Sequence, residues 1–214
     1  MLRRQTLPVT AFAQNCSLVW CSDTLEAALI DPGGEPARLL AAAARAGVRL
    51  RQVLLTHAHI DHAGAAGQLA REHGLPIVGP HEGDRFWIDA LAQQARMFGL
   101  GPSEPFEPAR WLVDGDTVQV GEVTLSVRHC PGHTPGHLVF HDPATHTAFV
   151  GDVLFAGSVG RTDFPGGDFD TLAASIRGRL WPMGDDTVFV PGHGPESTFG
   201  AERRGNPFVA DGLR

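Results

Sequence analysis

The chain has 214 residues, 43% hydrophobic and 19% charged, with a formal net charge of −7. This composition supplies a globular core and excludes a disordered or collagen-like chain. The acidic balance argues against a nucleic-acid partner, whose phosphates select a basic face. Met1-Leu2-Arg3-Arg4-Gln5 is not followed by the apolar run of an export signal, and no stretch of about eighteen apolar residues could cross a bilayer. Cys16, Cys21 and Cys130 show no repeated spacing and read as reduced thiols. The expectation is a cytoplasmic protein with no membrane partner.

In chain order, short apolar or β-branched runs at 7–12, 17–21 and 27–30, parted by Asn15 and Ser22-Asp23, predict an antiparallel meander. Pro36 opens and Gly47 closes a helix over 35–46, and 53–55 is a short buried strand. A helix over 63–73, a strand over 76–78 and a helix over 82–98 follow, the last with Phe86, Ala90 or Leu91, and Met97 on one face. Residues 99–108 read as a Gly- and Pro-rich loop. Two hairpins are predicted at 117–127, across Gly121-Glu122, and at 137–150, across Asp142-Pro143-Ala144. A helix over 170–180 and a strand over 187–190 end the pattern. The second half repeats the order of the first, which suggests two similar strand–helix layers facing each other in one domain over 1–214.

The strongest chemical signal is Thr56-His57-Ala58-His59-Ile60-Asp61-His62, directly after the apolar strand. Three imidazoles and a carboxylate in so short a span suit zinc and similar transition ions. If this segment is extended, alternation places His57, His59 and Asp61 toward one side and turns His62 to a neighbouring position, enough for two metals. Pro131-Gly132-His133-Thr134, Val150-Gly151-Asp152 and Pro191-Gly192-His193-Gly194 share a second pattern, a donor held among Gly or Pro at a strand end. His73, His81, His129, His141 and His146 lack it and read as ordinary surface or core residues. His137 reads as a strand-start residue, with a hydrogen-bonding role to a ligand as the alternative. Asp31 reads as a turn residue, and Cys130 as a buried small hydrophobe.

Together these segments resemble the metallo-β-lactamase superfamily along essentially the whole chain, and within it the short, single-domain glyoxalase II-like branch. The closer likeness rests on Asn15-Cys16-Ser17, Gly151-Asp152-Val153-Leu154-Phe155 and Gly157-Ser158-Val159-Gly160-Arg161-Thr162-Asp163-Phe164. The resemblance implies an α/β fold, a four-layer αβ/βα sandwich of two mixed sheets with helices outside. It implies that His57, His59 and His133 hold one divalent metal ion and Asp61, His62 and His193 a second, with Asp152 bridging. Zinc is the first choice, and iron or manganese also suit these ligands.

The activity so implied is hydrolysis of S-(hydroxyacyl)glutathione, a small-molecule thioester, to a hydroxy acid and glutathione by a water activated between the metals. Asp61 would orient that water and help move its proton, and Arg161 would pair with a glutathione carboxylate. Arg203 and Arg204 read as surface charge. The chain departs from longer glyoxalase II enzymes in lacking their C-terminal helical extension and any Tyr, which implies a weaker grip on glutathione or a different substrate. Two rival activities share the scaffold. An iron-dependent glutathione persulfide dioxygenase shares residues 160–164 but usually carries Cys at the position of His137. β-Lactam hydrolysis would be a minor activity.

Overall fold

The computed structural model describes residues 1–212. Its first half runs β1 (Leu2–Val9), β2 (Gln14–Cys21), β3 (Glu26–Ile30), α1 (Pro36–Ala46), β4 (Arg49–Leu54), α2 (Ile60–Ala63), α3 (Ala66–His73) and β5 (Ile77–Val78). A 3-10 turn, Glu82–Asp84, then leads into α4 (Arg85–Asp89) and α5 (Leu91–Phe98). The second half runs β6 (Thr117–Val120), β7 (Val123–His129), β8 (Leu138–Asp142), β9 (Thr147–Gly151), β10 (Leu154–Phe155), β11 (Ser158–Val159), α6 (Phe169–Ser175), β12 (Val188–Pro191), β13 (Ser197–Thr198) and α7 (Phe199–Gly205).

The strands form two mixed sheets, ordered β1-β2-β3-β4-β5 and β13-β12-β9-β8-β7-β6, with β10 and β11 as a small separate pair. Side-chain alternation along each strand builds the layers. In β3, Ala27 and Leu29 pack with α1 and α3, while Ala28 and Ile30 face the other sheet. In β9, Phe149 enters the space between the sheets, and Ala148 and Val150 pack toward α6 and α7. The result is helix, sheet, sheet, helix: the four-layer αβ/βα sandwich. Among the described residues, no helix is long and apolar enough to cross a membrane.

Both sheets hold parallel strands joined by helical crossovers: β3 to β4 through α1 in the first, where β4 also runs parallel to β5, and β9 to β12 through α6 in the second. The chain therefore leaves β4, β9 and β12 at one edge of the sandwich, and the β7–β8 connection turns at that edge too. Backbone bonds tie the sheets together there: Leu138 N–H donates to Thr56 O at 2.7 Å, and Asn15 N–H to Gly192 O at 2.7 Å.

Several elements differ from the sequence expectation. β1 starts at Leu2, and residues 10–13 are a turn with Thr10 and Ala13 at positive φ. β1 is an edge strand, so Pro8 costs no ladder bond and polar residues can fill its exposed positions. The cluster at 57–62 is not extended throughout: α2 begins at Ile60 and carries Asp61 and His62 in a helical turn. The helix expected over 82–98 breaks at Ala90, which shifts the phase of its apolar face. Leu91 is buried, but Phe86 and Met97 are exposed. The helix expected over 170–180 turns into a π-helical segment at Ile176–Leu180, and α7 was not anticipated.

Candidate metal centre

The four loops at the shared edge bring all seven donors together. His57, His59 and His133 offer ring nitrogens within 4.8 Å of one another, and so do Asp61, His62 and His193 with theirs and a carboxylate oxygen. In the first group His133 Nε2 lies 3.0 Å from His59 Nδ1. In the second, His193 Nε2 lies 3.1 Å from Asp61 Oδ2. Asp152 sits between them. Its Oδ1 is 3.2 Å from His62 Nε2, and its Oδ2 is 3.6 Å from His133 Nε2 and 3.7 Å from His193 Nε2. Glycine makes this approach possible: a Cβ on Gly192 would overlap Asp152 Oδ1.

The donors are aimed by a layer of hydrogen bonds. Asp31, expected to be only a turn residue, is buried. It accepts from Thr56 N–H at 2.8 Å and Thr56 Oγ1–H at 2.6 Å, and its Oδ2 lies 2.9 Å from His62 Nδ1. His133 Nδ1 is 2.7 Å from Arg161 O, and His193 Nδ1 is 3.2 Å from Phe12 O. His137 departs from the strand-start reading. It is wholly buried, its Nε2 accepts from Asp152 N–H at 3.0 Å, and its ring stacks on His57 with centroids 4.6 Å apart. Accepting at Nε2 places its ring proton on Nδ1.

Asp84 was not singled out in the sequence, yet it joins the two loops of the first group. Its carboxylate accepts from Ala58 N–H at 3.0 Å, between His57 and His59, and from Thr134 Oγ1–H and Gly136 N–H, in the loop that follows His133. Burial raises its pKa to about 7 against these bonds.

Burial and the neighbouring imidazoles hold His57 well below the ordinary histidine range. Burial and His133 lower His59 to about 3, and burial lowers His133. In the second group burial opposes charge, but Asp152 and Asp61 outweigh it and raise His62 well above 6.5. His193 is also raised, because its bond to Asp61 and the charge of Asp152 overcome burial. Burial would raise Asp61, yet His62 and the bond from His193 pull it below its usual range. Asp152 is likewise driven down, by His62 first, against its burial.

His57 Nε2, His59 Nε2, His62 Nε2 and Asp152 Oδ1 are buried with no hydrogen-bond partner. Buried polar atoms left without a partner are costly. Converging imidazole nitrogens and carboxylate oxygens are the ligands that divalent transition cations take, so these residues fit a pair of such ions.

A cavity of about 660 Å³ opens onto His59, Asp61, His133, Asp152 and His193. Arg161 lines it too, but its guanidinium is paired bidentately with Asp163 at 3.0 and 2.8 Å and lies over the Phe164 ring. Arg203 and Arg204 pair with Asp185, and Arg203 also with Asp211, as surface charges. Cys130 is buried, which raises its thiol to about 12, so it is an apolar filler.

The metallo-beta-lactamase superfamily domain matches residues 9–193. The chain is 47% identical to hydroxyacylglutathione hydrolase GloC of Haemophilus influenzae, over 96% of this chain and 97% of that one. Among solved structures, TTHA1623 in a di-iron-bound form has a TM-score of 0.87 at 40% identity, covering 96% of this chain and 100% of that chain. BLEG-1 B3 metallo-beta-lactamase has a TM-score of 0.87 at 34% identity, covering 98% and 99%. Sequence, fold and donor arrangement agree, and the chain belongs to the metallo-beta-lactamase superfamily as one of its hydrolases.

Proposed function

We propose that the protein is a single-domain, binuclear thioesterase that cleaves S-(hydroxyacyl)glutathione to a hydroxy acid and glutathione. The observation that carries this reading is Asp152, whose two oxygens address two separate donor groups at the floor of a substrate-sized cavity. The likeness to GloC supports the substrate class. His57, His59 and His133 would hold one cation and Asp61, His62 and His193 the other, with Asp152 shared. Zinc is the preferred ion on ligand chemistry, and the di-iron form of TTHA1623 makes iron the competitor. Three free, buried cysteines suit a reducing, cytoplasmic setting.

When bound, the cation pair supplies Lewis acidity, which makes a water acidic near neutral pH and stabilises negative charge on a carbonyl oxygen. The chain's own residues do the rest. Asp61 lines the cavity as an ionised carboxylate and orients the attacking water, accepting its proton. The apolar walls exclude bulk water and strengthen the electrostatics within. A thiolate leaves readily, so no strong general acid is needed opposite the scissile bond. Arg161, at the cavity rim, is the group that would pair with a carboxylate of the departing tripeptide.

The test combines metal counting with thiol release from S-lactoylglutathione. Two ions per chain and steady thiol release are expected, and Asp61→Ala should abolish turnover while one ion is retained. Fully metallated protein that releases no thiol would refute the substrate assignment. A single iron with O₂ uptake on glutathione persulfide would replace it with the dioxygenase.

A further inference from the structure

The cavity wall is poorly matched to the glutathione half of such a substrate. Glutathione carries two carboxylates and an ammonium, whereas Arg161 is the one guanidinium on the wall among the described residues and is already paired with Asp163. Beyond the donors and Arg161 the wall is mostly apolar, with Phe12, Phe86, Trp87, Met97, Phe98 and Phe164 on it and only Gln93 and Gln94 as further polar side chains among the described residues. Phe12, Phe86, Met97 and Phe98 are 42 to 68% exposed and rank among the largest apolar side chains open to solvent. Their gathering at one place differs from the scattered apolar exposure of an ordinary surface.

Helices α4 and α5 show that this is a built feature. Ile88, Leu91 and Ala95 already supply a face for the core. A second apolar face, from Phe86, Met97 and Phe98, is not needed for folding and turns to the cavity. Phe98 meets Phe12 edge-on, with centroids 5.9 Å apart, and so joins α5 to the turn between β1 and β2. Phe12 O in turn bonds the His193 ring, which makes this apolar wall continuous with the donor groups.

We infer that the protein selects thioesters whose 2-hydroxyacyl group carries a bulky apolar substituent, aromatic rather than methyl, seated between Phe12, Phe86, Met97 and Phe98. This rests on the thioesterase reading. The carbonyl must lie at the donors, so substituent and carrier leave it in different directions. The charged tripeptide would lose hydration without compensation against aromatic rings and stays at the solvent-facing rim beside Arg161. The acyl substituent takes the wall.

The experiment compares S-mandeloylglutathione with S-lactoylglutathione on the metal-loaded protein, and measures binding of the products mandelate and lactate by calorimetry. Burying a phenyl ring where a methyl would leave the wall wet predicts a kcat/KM ratio of about ten or more for mandeloyl over lactoyl, with mandelate binding tighter by a similar factor. Phe98→Ala and Met97→Ala replace exposed side chains, so the fold persists, and each should pull the ratio toward one. Val113→Ala, an exposed apolar residue off the cavity, should leave it unchanged. Equal or reversed preference with normal thiol release would overturn this inference and leave the thioesterase standing. If neither thioester is cleaved, the thioesterase reading falls, and the mandelate and lactate affinities still decide whether the wall prefers an aromatic acid. A dimer lost in Met97→Ala, together with equal affinities, would assign the wall to a second copy of the chain and overturn the inference.

Discussion

His57, His59 and His133 sit among other imidazoles, whereas His62 and His193 sit against carboxylates. The two halves of the centre therefore answer protons in opposite ways, although both are built from histidine at strand ends. Burial and neighbouring imidazoles favour the neutral, cation-binding form in the first group, whereas in the second the carboxylates favour protonated rings, with which a cation competes. What a histidine does here is set by its neighbours from other segments, not by its own local motif.

Asp152→Ala should have the largest effect, since the Asp152 carboxylate lies against both groups. It should lower turnover by more than the roughly 100-fold typical of losing an outer partner and cut bound metal from two ions toward none. Retention of both ions would show that the groups are independent. Asp31→Asn and Asp84→Asn should act more narrowly. Asp31 braces His62, and Asp84 braces the loops of the first group. Each should weaken one cation by about 10–100-fold and spare the other, read by chelator competition. Equal weakening of both ions in both variants would erase the division into groups.

The smallest effect is on the metal-free protein. The first-group histidines have folded pKa values below the unfolded 6.5, so their contribution to stability is present above 6.5 and is lost as pH falls toward about 3. His62 and His193, with raised values, contribute below 6.5 and lose that contribution as pH rises through their folded values. Acidifying metal-free protein below 6.5 should therefore lower Tm, by about 2–4 °C per kcal/mol lost, and His59→Gln should blunt the fall. A Tm that climbs on acidification would contradict the first-group assignment.

The seven residues that the structure gathers at this edge could be picked out of the sequence because each stands in a short local pattern, either the dense run at 57–62 or a Gly- or Pro-flanked strand end. Asp31 and Asp84 could not be, and His137 only as the alternative to a strand start, because their roles come from distant partners. Asp31 directly follows β3, and only the parallel pairing of β3 with β4 puts it beside Thr56. Asp84 lies in a helical turn with no pattern to mark it. Among elements, α1 was clear because Pro36 and Gly47 bracket it, with Gly47 N–H reaching Ala43 O and Ala44 O. β1 was misplaced because Arg3, Gln5 and Pro8 hide an edge strand. The face expected from Phe86 and Met97 belonged to the cavity instead of the core, since apolar periodicity does not say what a face is buried against.

The donors are divided between the sheets, His57, His59, Asp61 and His62 following β4 and His133, Asp152 and His193 following strands of the other sheet. Each cation would draw ligands from both sides, and so would act as a clasp across the sandwich. Loading and closure then share one free energy, with metal availability setting how tightly the halves hold. A chelator would loosen the seam as well as silence the enzyme, which makes resistance to proteolysis a direct gauge of occupancy.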